Sequence, residues 1–174
     1  MAVRSRAGWE HRDWLTFAVT DVSQGKAVGH VGLWNRDGGQ VGSGEQGEIG
    51  YWTAADSRGR GIAPTAVRAV TGWAFDHFGA DRLPRIMLVH DLDNAASCRV
   101  AAKSGYPFDR LSPANPPLWF TDGHVHVAEA PARGERADGR GGARSRSPFA
   151  GWRGEGRSPG LLRHVRAEAG NAGP

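Results

Sequence analysis

A loop in which glycine alternates with arginine is the stretch of this sequence best suited to chemistry. It reads Arg-Gly-Arg-Gly-Ile-Ala over residues 58–63. Gly59 and Gly61 permit positive φ angles and leave room for a ligand to approach the backbone. Arg58 and Arg60 offer charge-assisted hydrogen bonds, and a helix that begins just after the loop adds the positive end of its dipole. Together these features predict a cradle for a pyrophosphate group.

The spacing within this loop distinguishes it from two other phosphate-binding motifs. A P-loop requires Gly-Lys-Ser/Thr, and that triplet does not occur in the sequence. A dinucleotide-binding fingerprint requires a third small residue at the position that Pro64 occupies. The pattern that remains is Arg-x-x-Gly-x-Ala.

This pattern resembles the acyl-CoA signature, Gln/Arg-x-x-Gly-x-Gly/Ala, of the GCN5-related N-acetyltransferases (GNAT). The context resembles the same family, with Glu48–Trp52 upstream and Asp93–Ser97 and Lys103–Tyr106 downstream. The combination is most similar to the branch that acetylates the N-termini of ribosomal proteins, and it covers about residues 15–111. The resemblance implies acetyl-CoA as co-substrate and an amine as acceptor (a protein N-terminus or a small amine), and no metal is expected.

The resemblance also implies a mechanism in which the amine attacks the thioester directly, without a covalent enzyme intermediate. The amine must then lose a proton and the leaving thiolate should gain one. Glu48 is the candidate base, and an ordinary exposed strand glutamate is the alternative. Ser97 matches a position near the sulfur and is a candidate proton donor. Its alternative is a small polar residue in the first turn of a helix.

Residues expected to hold the cofactor come from three parts of the chain. Backbone N–H groups of Tyr51, Trp52 and Thr53 are expected to bind the pantetheine arm or the thioester oxygen, as the corresponding strand does in the family. Asn94 is expected to touch the CoA arm, although helix capping explains it equally well. The phosphate-binding loop supplies the rest: Arg58, Gly59, Arg60, Gly61, Ile62 and Ala63.

Two features depart from the family pattern. Many members carry a tyrosine general acid four residues before the glycine that corresponds to Gly105, where this sequence has Ala101. Members of this branch also place a strand and two helices before the strand that begins here at Leu15. Only residues 1–14, a candidate helix remnant, precede it. We therefore expect an N-terminally truncated chain, in which acceptor binding and turnover are at risk.

Other residues with reactive side chains are expected to have structural roles. His124 and His126 fall on one strand face and could share a metal, but no third ligand is evident, so surface histidines are favoured. Cys98 has no adjacent base or cation cluster in the sequence, which favours a small packed residue. Tyr106 is expected in the sheet core. Four tryptophans are mainly candidates for the core as well: Trp14, Trp34, Trp52 and Trp73.

The elements that position these residues follow from hydrophobic periodicity. Alternating or β-branched runs predict strands at 15–20, 26–34, 47–53, 85–90, 106–111 and 123–128. Apolar residues at helical spacing predict a helix from Pro64, as its first residue, to Phe78. A second helix is predicted from a cap at Asp93 or Asn94 to Ser104. This order predicts an α/β (α+β) fold with a mixed sheet flanked by helices, and the resemblance makes it GNAT-like and mainly antiparallel.

Composition limits the remaining possibilities. A single cysteine and the lack of a signal peptide or a membrane-length apolar run favour a cytoplasmic protein without a membrane partner. The net charge of +4 lies entirely in residues 129–174, a Gly/Arg-rich segment that we expect to be disordered. Residues 15–128 form the predicted acetyl-CoA-binding domain.

Three functions are therefore compatible with the sequence. The first is an acetyltransferase, and the second is a truncated CoA-binding protein without turnover that requires a partner chain. The third is nucleic-acid binding through the basic tail, which is less favoured because such tails are more often only solvated. Self-association of the chain is a further expectation.

Overall fold

In a computed structural model, the described part of the chain forms a single sheet with two long helices, and residues 9–11, within the predicted helix remnant, are also helical. The structure describes residues 9–44, 46–116 and 120–132, together with the backbone of 163–167. In order along the chain, the strands are β1 Trp14–Asp21, β2 Lys26–Asn35, β3 Gly47–Thr53, β4 Arg85–Asp91, β5 Phe108–Ser112, β6 Gly123–Glu129 and β7 Arg163–Ala167. The helices are α1 Ile62–Phe78 and α2 Ala95–Lys103.

The strand order across the sheet is β5-β6-β4-β3-β2-β1-β7. Pairing is antiparallel except between β3 and β4 and between β1 and β7. The parallel β3–β4 pair is possible because α1 lies between them in sequence and carries the chain back along the sheet. The predicted mixed, mainly antiparallel sheet flanked by helices is confirmed.

The two central strands, β3 and β4, pair only at their beginning. Gly47 pairs with Ile86 and Glu48 with Met87, whereas the strands continue to Thr53 and Asp91. Beyond Glu48, the edge of β3 that faces away from β2 has no partner strand in the described part of the chain. The sheet therefore splits at its centre, and backbone groups of β3 face the opening.

Helix α1 packs on the sheet through an apolar stripe. Ala66, Val67, Val70 and Ala74 are at most 1% exposed and lie in one core cluster with the inward-facing strand residues. The helix begins at Ile62, so the prediction that Pro64 is its first residue is wrong by two positions. Proline is tolerated there because N–H groups in a first helical turn have no intrahelical partner.

Helix α2 is held to the sheet by much less apolar surface. Ala101 is its one buried residue, at 0% exposed. The helix begins with Asn94 as its cap, whose Oδ1 accepts a hydrogen bond from the Ser97 backbone N–H at 3.0 Å. Of the two caps considered from the sequence, Asn94 is the one found.

Strand β7 is a departure from the predicted disordered tail. Residues 163–167 pair with Phe17–Asp21 of β1 in parallel. An outer strand presents a row of unpaired N–H and C=O groups, so even a short extended segment can gain hydrogen bonds there. The remainder of the predicted tail after Ala132 lies outside the described residues.

The aromatic residues divide between the core and the surface. Tyr106 is fully buried and shares a 2.6 Å hydrogen bond with the Thr71 hydroxyl, as expected for a core residue. Trp73 is buried, but Trp14 is 43% and Trp52 is 56% exposed, so the core interpretation is wrong for these two. Trp14 stacks on Trp34 with ring centroids 4.5 Å apart. None of the described helices is long and apolar enough to span a membrane.

Candidate active site

A cleft of about 510 Å³ opens where β3 and β4 separate. One wall is the end of β3, the floor is the loop that enters α1, and the other wall is one face of α2 from its cap at Asn94 to Lys103. Ten of the twelve residues selected from the sequence line it: Tyr51, Trp52, Thr53, Arg58, Gly59, Gly61, Ile62, Ala63, Asn94 and Ser97. The fold thus brings together segments that lie more than 40 positions apart.

The two glycines of the loop have the backbone conformation that the sequence predicts. Gly59 has φ 76° and Gly61, the cap of α1, has φ 74°. A Cβ atom built at either position would meet no protein atom within 4 Å. The glycines therefore shape the backbone and leave open space in front of the first N–H groups of α1. That geometry suits an anion.

The two arginines of the loop have different surroundings. Arg58 lines the cleft, and its Nε donates to the Thr53 carbonyl at 3.2 Å. Arg60 does not line it, because its Nη2 donates to Asp21 Oδ2 at 2.8 Å. Hydrogen bonds from Ser23 and then from Arg60 lower the pKa of Asp21 to about 2. The Arg60 side chain thus holds the loop against β1. At this position only backbone groups of the loop remain to contact a ligand.

Two further basic residues in the cleft were not selected from the sequence. Arg99 and Lys103 of α2 line the wall opposite β3. They are four positions apart and so lie on one face of the helix. The sequence shows the spacing of these two residues, but it does not show that this face of α2 is turned toward the cleft, because that depends on how α2 packs. With Arg58, they place three cations around the cleft.

A pair of hydroxyl groups bridges the cleft between its two walls. The Tyr51 hydroxyl donates to Ser97 Oγ at 3.0 Å. Burial raises the pKa of Tyr51, which keeps the phenol protonated near neutral pH. The sequence interpretation assigned only backbone groups of Tyr51 a role and missed this side chain. Ala101, at the usual tyrosine position, is fully buried and supplies no proton.

Glu48 lies on β3 but outside the cleft lining. The residue is 5% exposed, so the alternative of an ordinary exposed glutamate is wrong. Arg36 Nη1 donates to Glu48 Oε2 at 2.6 Å. Burial raises the pKa of Glu48, while Arg36 opposes that rise. A buried carboxylate with a raised pKa can accept a proton more readily than an exposed one.

Comparison with known proteins identifies the family and the fold. Residues 1–107 match the family described as Acetyltransferase (GNAT) domain. No curated protein sequence matches the chain.

Several solved structures share the fold. Ribosomal-protein-S5-alanine acetyltransferase from Vibrio fischeri is 23% identical with a TM-score of 0.59, over 71% of this chain and 66% of that one. The microcin C7 self-immunity acetyltransferase MccE, in complex with acetyl-CoA and AMP, is 17% identical with a TM-score of 0.57, over 72% and 66%. Mycobacterium smegmatis RimJ, in complex with CoA-disulfide, is 26% identical with a TM-score of 0.56, over 72% and 57%. The chain therefore spans less than two thirds of each of these three proteins.

Proposed function

Because the chain belongs to the GNAT acetyltransferase family, a family of acyltransferase enzymes, we propose that it transfers an acetyl group from acetyl-CoA to an amine. The observation that carries the proposal is the split between β3 and β4, which opens onto the glycine-capped start of α1. The acceptor is a protein N-terminus or a small amine, and the likeness to a ribosomal-protein-S5-alanine acetyltransferase supports a protein acceptor.

Binding of the cofactor follows from the charges and backbone groups around the cleft. The pyrophosphate lies against the N–H groups from Gly59 to Ala63, where the α1 dipole favours an anion. Arg58, Arg99 and Lys103 neutralise phosphate charge. The pantetheine arm lies along Tyr51–Thr53, whose outward backbone groups have no partner strand among the described residues. Asn94 contacts the arm from the α2 side.

The chemistry is a direct displacement in which charges and protons balance. The amine nitrogen attacks the thioester carbonyl carbon, a C–N bond forms, and the C–S bond then breaks. The proton lost by the amine passes to Glu48 through water. Backbone N–H groups of β3 stabilise the oxyanion. The CoA thiolate takes a proton from the Ser97 hydroxyl, Ser97 takes one from Tyr51, and water then returns a proton to Tyr51 as Glu48 releases its own.

One observation favours a second function, cofactor binding without turnover. The Glu48 carboxylate is hydrogen-bonded to Arg36 and does not line the cleft. If Arg36 holds that carboxylate throughout, an amine has no base to take its proton. Measurable acetyl transfer by the isolated chain rejects this second function. Nucleic-acid binding through the basic tail rests on residues that lie mainly outside the described part of the chain.

Calorimetric titration of acetyl-CoA tests the proposal first. We expect micromolar binding by the wild-type chain and its loss in Gly61→Glu, because the new carboxylate occupies and repels the phosphate position. Gly25→Glu is the matched control. Gly25 also has positive φ (63°) and open space at its Cβ, but it lies in the β1–β2 turn and does not line the cleft.

The outcomes separate the candidate functions. Binding by the wild type and Gly25→Glu, followed by acetylation of a panel of amines, supports the acetyltransferase. Binding without acetylation of any amine supports the second function. A folded chain that binds no acetyl-CoA contradicts both.

A further inference from the structure

Four metal-ligating side chains meet on the side of α2 that faces the sheet. They are His90 near the end of β4, Cys98 in α2, and His124 and His126 on β6, and their ligand atoms all lie within 4.8 Å of one another. Cys98 does not line the cofactor cleft, although its neighbours Ser97 and Arg99 do. The cluster is therefore separate from the proposed acetyl-transfer site.

Fold topology explains why the sequence does not reveal this cluster. His90 and His124 are directly paired across β4 and β6, and His126 is two positions further along the same face. Cys98 comes from a helix that crosses over them. The sequence interpretation that His124 and His126 have no third ligand is wrong, since the fold supplies two more. The view of Cys98 as having no adjacent base is wrong for the same reason.

Three of the six distances between ligand atoms in the cluster fit a tetrahedral metal. His90 Nε2 lies 3.3 Å from His126 Nε2 and 3.4 Å from Cys98 Sγ, and Cys98 Sγ lies 3.2 Å from His124 Nδ1. Zinc bonds of about 2.0–2.1 Å to nitrogen and about 2.3 Å to sulfur place adjacent tetrahedral ligands roughly 3.3–3.6 Å apart. These three separations are thus close to those of a metal-bound set.

Hydrogen bonds orient two of the imidazoles as metal ligands. His90 Nδ1 lies 2.8 Å from the Asp91 carbonyl oxygen, and His126 Nδ1 lies 3.2 Å from the Tyr106 carbonyl oxygen. A carbonyl can only accept, so both Nδ1 atoms carry the proton. In the neutral rings, both Nε2 atoms then present lone pairs to each other. A cation placed between them would bind both lone pairs, and backbone carbonyls are common partners of metal-bound histidines.

The ligand types and the packing around them favour a metal as that cation. The Phe108 ring packs edge-on against His124 and His126 at 5.2 and 5.8 Å and covers one side of the cluster. A thiolate with three imidazoles is a ligand set that suits Zn²⁺.

We propose that His90, Cys98, His124 and His126 form a structural zinc site that fastens α2 to β4 and β6. All four positions are filled by protein side chains, as in closed structural sites. Zinc displaces the thiol proton of Cys98 and binds the thiolate. The site compensates for the poor apolar anchoring of α2, whose one buried residue is Ala101. It also fixes the helix turn from which Asn94 and Ser97 face the cofactor cleft.

Cobalt substitution tests the proposal directly in the wild-type chain. The tag-free full chain is stripped with a chelator and titrated with Co²⁺, then with Zn²⁺ in competition. We expect one equivalent of Co²⁺, intense visible bands of tetrahedral cobalt and a thiolate-to-cobalt charge-transfer band. The chain has one cysteine, so that band can arise only from Cys98. One equivalent of Zn²⁺ should then abolish all these bands.

Two ligand variants and one control variant locate the metal in the cluster. Cys98→Ser should lose the charge-transfer band, and Cys98→Ser and His124→Asn should each weaken Zn²⁺ binding by at least about 100-fold, since even changes beyond the ligands cost about 10–100-fold. His11→Asn, an exposed histidine outside the cluster, should bind as the wild type does. Zn²⁺ should raise the Tm of the wild type and of His11→Asn, but not of the other two.

Three results would overturn the proposal. One is a folded wild-type chain, checked by circular dichroism, that binds no stoichiometric metal. The second is tight binding without a charge-transfer band, which places the metal elsewhere. The third is a Zn²⁺ affinity that is unchanged in both Cys98→Ser and His124→Asn. None of these readouts depends on acetyl-CoA, so the zinc site and the proposed function can fail independently.

Discussion

Glu48 is subject to two opposing influences on its pKa. Burial raises that pKa, whereas the charge and the 2.6 Å hydrogen bond of Arg36 oppose the rise. A general base works only in its deprotonated form, so the rate should increase as pH rises through the pKa of Glu48. The position of that increase therefore reports the balance between burial and Arg36.

Replacing Arg36 should shift the acid limb of the pH–rate profile. In Arg36→Gln, the pKa of Glu48 rises further because the neighbouring cation is gone, so the limb of kcat/KM moves to higher pH. In Glu48→Gln, the limb disappears and kcat falls by about 100-fold or more. Profiles of kcat/KM for the three proteins measure both effects. An acid limb that stays in place in Arg36→Gln would assign it to another group.

Single residues were predictable where their role depends on the local backbone. The positive φ angles of Gly59 and Gly61 follow from the loop sequence itself, and the structure confirms them. The partner of Arg60 could not be predicted in this way. Asp21 lies 39 positions away and comes within 2.8 Å only because β1 ends beside the loop.

At the scale of elements, one hydrogen bond joins the two walls of the cleft. Tyr51 lies on β3 and Ser97 on α2, 46 positions apart. The chain has one other tyrosine, Tyr106, whose hydroxyl is buried against Thr71. The two tyrosines offer a matched pair, because the same change to phenylalanine removes a hydroxyl from the cleft in one case and from the core in the other.

We expect opposite effects from these two substitutions. Tyr51→Phe should lower kcat on the order of 10-fold with little change in Tm, because Ser97 and water can still supply the proton. Tyr106→Phe should leave kcat nearly unchanged and cost about 1–2 kcal/mol of unfolding free energy, since the Thr71 hydroxyl loses its partner. Steady-state kinetics and urea unfolding distinguish them. Equal loss of kcat in both variants would contradict a proton relay through Tyr51.

Element positions were largely predictable because they depend on local periodicity. Gly47–Thr53 was predicted with both of its ends, and the Asn94 cap was one of the two considered. The predicted start of α1 was two residues too late. Proline indicates the first turn of a helix, but it does not indicate which position of that turn it occupies. Trp14 and Trp52 were wrongly predicted to be buried, because aromatic character alone does not show which face of a sheet is covered.

At the scale of the whole molecule, strand β7 closes one side of the sheet. It covers the edge of β1 from Phe17 to Asp21, which would otherwise present unpaired backbone groups. Neither this pairing nor the zinc cluster was predictable from the sequence. Each depends on long-range topology, which joins segments that carry no local signal of their contact.

Removing the C-terminal segment should expose the edge of β1. In a chain that ends at Ala132, amide hydrogens of β1 that face β7 should exchange faster, while those of β2 should not change. The exposed edge should also cause self-association at higher protein concentration. Hydrogen–deuterium exchange and light scattering against the full chain measure these effects. Unchanged exchange in β1 would show that β7 protects nothing in solution.

The brief contact between β3 and β4 has a consequence for the lifetime of the protein in a cell. The sheet consists of two leaves joined at the centre by two residue pairs, so opening there exposes backbone to proteases. On the proposed function, acetyl-CoA fills the gap and binds only the closed form. At about 100 times its Kd, such a ligand stabilises the folded chain by about 2.7 kcal/mol. The supply of the metabolite would then govern how much of the protein survives, as well as how fast it works.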